Sequence, residues 1–166
     1  MRKREKGFSL IELLIVVAII LIIAAIAIPN LLRSKMAANE ASAVGSVRTI
    51  TTAEITYSTI YGIGFAPLAN LGGAEPCTAS QNTACLIDNV LATGTKTGYT
   101  LTTPTPAALG TPAAPDVTFS ISAVPIAVGQ SGQRSFCSDQ TGVVRFDPAG
   151  AAPPNPCNSG ALQPLQ

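Results

Sequence analysis

The sequence has no histidine and no tryptophan, and only 11% of its 166 residues are charged and 5% aromatic. Without histidine, Ser-His-Asp and Cys-His catalysis are excluded. The cysteines include no Cys-x₂-Cys pair, so the usual zinc pattern is missing as well. No glycine-rich phosphate loop follows a strand signal. Scarce charge beside 47% apolar residues makes the chain too greasy for an ordinary soluble domain of this length, unless the apolar residues are concentrated in one place.

They are concentrated near the N-terminus. Residues 8–28, FSLIELLIVVAIILIIAAIAI, contain only Ser9 and Glu12 that are not apolar. As a helix this stretch is about 32 Å long, enough to cross the hydrocarbon core of a bilayer. Arg2, Lys3, Arg4 and Lys6 precede it, opposed only by Glu5. That flank predicts a cytoplasmic N-terminus and export of the remainder. Setting the flank aside leaves six basic and eight acidic residues in 8–166, with no basic cluster to suggest nucleic acid as a general partner.

Three readings of this segment compete. Ala25-Ile26-Ala27 fits a signal-peptidase site, but the apolar run exceeds a signal core. A plain signal anchor accounts for the length yet leaves Glu12 unexplained, a carboxylate costing about 2.5–3.5 kcal/mol if it lies deep in lipid. The third reading rests on residues 6–17, KGFSLIELLIVV, which closely resemble the processing site of the type IV pilin and pseudopilin family. The resemblance covers roughly the first 60 residues well and the remainder by architecture. It implies cleavage between Gly7 and Phe8 by a prepilin peptidase and N-methylation of Phe8. It further implies that Glu12 meets the N-terminal amine of a neighbouring subunit, so that wrong axial offsets leave unpaired charges in an apolar core. A plainer reading has Glu12 reach the lipid headgroups.

Pro29 removes a helical donor and crowds the carbonyl of Ala25, which makes it a kink or weak point and, with Glu12, a candidate assembly residue. Helical periodicity resumes beyond it in Leu32, Met36, Ala43, Val47, Ile50, Tyr57 and Tyr61, with Arg33, Lys35, Glu40, Arg48 and Glu54 mostly off that stripe. The expectation is one helix over about 8–61, apolar all round at first and amphipathic from 29 to 61.

Beyond Tyr61 the composition changes, since residues 62–166 hold 12 of the 14 glycines and 12 of the 13 prolines. Residues 62–98 read as a connecting loop with one short helix near 86–91. Strand signals fall at 98–102 and at 117–123, where apolar and polar residues alternate. A hairpin over 134–146 turns at Asp139-Gln140-Thr141-Gly142. The predicted class is α+β: an antiparallel sheet over 99–147 packed on the second half of the helix, with 148–166 as C-terminal loop and tail.

Cys77, Cys85, Cys137 and Cys157 all follow the apolar segment, consistent with export to an oxidising compartment. Four cysteines permit three pairings; sequence neighbours, Cys77 with Cys85 and Cys137 with Cys157, are the expectation. No cofactor is expected. Asp139 and Asp147 are the candidates for calcium, as happens in some secretion pseudopilins, but without an EF-hand-like run they read first as turn and strand-end aspartates.

Taken together, the chain reads as a structural subunit and not an enzyme: leader 1–7, filament-core helix 8–28, then the head. The resemblance implies a homopolymer built by inner-membrane machinery, anchored in the cytoplasmic membrane before assembly and extracellular afterwards, serving adhesion, motility or DNA uptake. A pseudopilin of a type II secretion machine and a minor tip pilin binding DNA or a surface are the alternatives.

Overall fold

The computed structural model describes residues 7–158 and 162–165. The basic residues at 2–6 that set the expected orientation therefore lie outside the described residues, as do leader residues 1–6 generally. The chain divides into two compact units, Met1–Lys35 and Met36–Gln166, and helix α1, Leu10–Tyr61, contributes to both.

In the first unit α1 is apolar on every side, with Leu10, Ile15, Ile20, Ile26 and Leu31 all at least half exposed. Its best 18-residue window has a mean hydropathy of 3.3, so it is long and apolar enough to cross a membrane by length and composition. An all-round apolar helix needs lipid or other protein around it. Pro29 sits inside the helix without ending it. Lacking an amide hydrogen, it leaves the Ala25 carbonyl without its usual partner four residues on.

The second unit is the head. Ala43, Val47, Ile50, Ala53 and Tyr57 of α1 share one core with Leu101, Ile121, Ala123 and Phe136 of the sheet. Three stripe assignments need correction. Leu32 is exposed, whereas Glu40 and Glu54, expected off the stripe, are buried. Their spacing explains it: 40, 43, 47, 50, 54 and 57 advance by three and four, so both carboxylates fall on the buried face.

Two short helices, α2 at Leu68–Leu71 and α3 at Asn89–Ala92, follow α1, the latter capped by Asp88, which accepts from the Leu91 N–H at 2.8 Å. Among the described residues, six strands form one antiparallel meander in chain order: β1 Thr95–Lys96, β2 Tyr99–Thr105, β3 Ser120–Pro125, β4 Ser135–Asp139, β5 Arg145–Asp147 and β6 Gln163–Pro164. The expected loop over 62–98 thus gains α2 and β1. The turn from β1 to β2 uses Thr97 and Gly98, both with positive φ, as a two-residue hairpin requires. The strand expected at 117–123 begins instead at Ser120. The reason is competition. Asp116 exchanges backbone hydrogen bonds with Ile63 and Phe65 in the connector after α1, and Val117 is left 72% exposed.

Register sorts the two faces. Leu101, Ala123, Phe136 and Phe146 oppose one another in a row on the core side, and Thr102, Ser122, Cys137 and Arg145 form the row on the other. All five residues of β4 are nevertheless buried. The segment expected as a tail supplies the cover: the Ser135 hydroxyl donates to the Ala151 carbonyl, and Cys137 is bonded to Cys157, so residues 148–158 strap the outer face before β6 returns to pair with β5. A second disulfide joins Cys77 to Cys85.

Glu40 ties the helix to the sheet. One carboxylate oxygen accepts from the Gln133 and Arg134 backbone N–H groups at 2.9 and 3.1 Å, and the other takes the Arg134 guanidinium at 2.7 Å. Burial pushes this carboxyl upward, but the Gln133 amide and the Arg134 contacts outweigh it and hold Glu40 below the usual carboxylate range. The guanidinium also lies 5.5 and 5.3 Å from the Phe136 and Phe146 ring centres. Replacing Glu40 with alanine strands two amide donors. Because Arg134 is 39% exposed, solvent screens part of the loss. The expected destabilisation is about 2 kcal/mol, read as a lower urea midpoint with unchanged slope.

Candidate processing and assembly site

Gly7, Phe8 and Ser9 precede the helix outside regular structure, and Phe8 is 80% exposed. A Cβ built on Gly7 meets nothing within 4 Å. The fold therefore has no steric need of glycine at this position. Glu12 lies one helical turn beyond. Its Oε2 accepts the Ser9 N–H at 2.9 Å, while the Ser9 carbonyl accepts the Leu13 N–H at 3.2 Å. This is the carboxylate half of a capping box, Ser-x-x-Glu, and it ties up one of the amide donors that a helix start leaves unpaired. Sequence reasoning missed that function, although the spacing carries the signal. A carboxylate accepts several donors, so capping leaves Glu12 able to take a second partner.

Gly7 and Phe8 thus directly precede the first turn of α1, which carries Glu12. Pro29 belongs to the same unit but lies about 25 Å further along the helix. Asp139 and Asp147 are occupied in turns: Asp139 accepts from the Thr141 N–H and hydroxyl, and Asp147 from the Ala149 N–H at 2.9 Å. Among the described residues no three histidine, cysteine or carboxylate groups converge as a metal site would need.

The head contains a further carboxylate that the sequence did not single out. Glu54 is fully buried; its Oε2 accepts the Ala66 N–H at 2.9 Å, and its Oε1 has no partner among the described residues. Burial pushes its carboxyl up to about 7, outweighing the Ala66 amide, which pulls the other way.

Residues 2–28 match the family described as the prokaryotic N-terminal methylation motif. The chain is 60% identical over 38 residues to the type IV wide pilus major component PilA4 of Thermus thermophilus, covering 23% of this chain and 29% of that protein. It is 44% identical over 54 residues to the type IV major pilin protein PilA of Myxococcus xanthus, covering 32% and 24% respectively. The matched part thus spans under a third of the length of these relatives. No solved structure matches the chain.

Proposed function

We propose that this chain is the precursor of a type IV pilus subunit. In this reading a prepilin peptidase cuts between Gly7 and Phe8 and methylates the new Phe8 amine. The apolar half of α1 holds the subunit in the cytoplasmic membrane with its N-terminus inside, and inner-membrane machinery then draws subunits into an extracellular homopolymer. The observation that carries the proposal is the single carboxylate of Glu12, one turn past an exposed Gly-Phe junction in a helix otherwise clothed in hydrocarbon. Cleavage would create a positive amine four residues from that carboxylate, and in an apolar surround each charge requires the other. Within one chain Glu12 also caps its own helix; between chains it selects the axial offset.

Mass spectrometry of sheared surface filaments tests this directly. The subunit should begin at Phe8, carry one methyl group on its amine, and weigh four hydrogens less than the fully reduced chain because of its two disulfides. A mature chain beginning at any other residue would overturn the proposal.

A further inference from the structure

The face of α1 turned away from the head core has an unusual chemistry. Gly45, Arg48, Thr49, Thr52, Thr56 and Thr59 fall on it together, flanked by Ile55 and Ile60, which are 52% and 61% exposed. Each threonine hydroxyl donates to a carbonyl of its own helix: Thr49 to Gly45, Thr52 to Arg48, Thr56 to Thr52 and Thr59 to Ile55, at 2.8–3.0 Å. With those donors already used, the hydroxyls impose no donor cost if the face is covered. Arg48 is the exception. It is the one charge on this face, and its side chain has no partner among the described residues. Covering the face therefore demands a carboxylate opposite Arg48.

The head offers one in a fitting place. A groove of about 340 Å³ lies between the end of α1 and residues 115–117, lined by Ser58, Gly62, Phe65, Pro115 and Val117, with half-buried Asp116 among them. The Asp116 backbone is fixed by Ile63 and Phe65, but its carboxylate has no partner among the described residues. The other candidates are weaker. Asp88 is paired with Lys96 at 3.6 Å, Asp147 accepts from Ala149, and Glu75 is exposed, where an ion pair contributes little. An arginine stem is apolar and its head cationic, which matches a groove with Val117 and Phe65 on its walls and Asp116 within it.

We infer that this face of α1 docks on a second copy of the same chain, with Arg48 of one copy seated in the Asp116 groove of the other. The inference rests on the polymer reading above and adds a contact in the head to it. It also sets a stagger. Arg48 precedes Ser58 and Gly62 by ten and fourteen residues, so parallel copies joined this way are offset by about 15–21 Å along the helix.

Charge exchange in the full-length chain, expressed with its own assembly machinery, tests the contact. Arg48→Glu and Asp116→Arg should each lower sheared-filament yield about tenfold at unchanged subunit level, and the double exchange should return it to near the wild-type yield. An independent readout avoids any effect on folding. Intact filaments of the Arg48→Lys chain, treated with a carbodiimide, should give an inter-subunit amide between positions 48 and 116, lost in the Asp116→Asn background. If the wild-type chain forms filaments but the single exchanges leave yield unchanged, the double exchange fails to restore it, or the cross-link is missing, the docking contact is wrong while the pilus reading stands. If the wild-type chain forms no filaments, both fall.

Discussion

Chains carrying Glu12→Ala should enter the membrane and fold their heads as usual, yet yield at least about tenfold fewer surface filaments. Removing the carboxylate has two separable effects. It takes away the acceptor for the Ser9 N–H, which weakens the start of α1 by about 1 kcal/mol. It also removes the counter-charge that the new Phe8 amine would need in an apolar surround. Glu12→Gln distinguishes the two, because glutamine retains a side-chain oxygen for the cap but carries no charge. If ion pairing governs assembly, glutamine should be nearly as defective as alanine. Filament yield restored by glutamine would show that helix capping alone is required, and the register device would have to be abandoned.

The head should lose stability as pH rises from about 4.5 to about 7, an unusual direction for a carboxylate. Burial raises the folded-state value of Glu54 from 4.5 to about 7. Below about 4.5 the group is protonated in both folded and unfolded chains and contributes nothing to pH dependence. Between the two values the folded head holds a proton that the unfolded chain has released, so each rise in pH favours unfolding. Above about 7 the full cost is present, about 3 kcal/mol at 1.36 kcal/mol per unit. Glutamine at this position imitates the neutral acid. Glu54→Gln should therefore flatten the profile and raise the stability of the head above pH 7 by roughly that amount. Urea titrations of the detergent-solubilised full-length chain at pH 4.5, 6 and 8 measure it; a level wild-type profile would falsify the assignment.

How far the sequence could be read depended on whether the pattern was local. Gly7, Phe8 and Glu12 lie within six residues, and the apolar run after them is legible by eye. The long helix is equally plain, since only Pro29 interrupts its periodicity and the structure carries the helix through it. Charge points Glu40 and Glu54 to solvent, but spacing puts both on the same face as Ala43, Val47, Ile50 and Tyr57. What buries them is a partner far away in the chain, Arg134 in one case and the Ala66 amide in the other. The third strand slipped because alternation from Val117 says nothing of the rival hydrogen bonds between Asp116 and the connector. The strap and β6 gave no local signal, for a proline-rich stretch reads as loop whether or not it covers a sheet.

The meander order has a consequence for how the head is made. Among the described residues every strand pairs with its neighbour in the chain, so a head made from its N-terminal end can be laid down strand by strand, each newcomer finding its template in place. The Cys77–Cys85 link spans 8 residues and can close early in this sequence, whereas Cys137 must wait for a partner 20 residues downstream. Until Cys157 emerges, the outer side of β4 stays bare. Closing the Cys137–Cys157 bond therefore seals the back of the sheet.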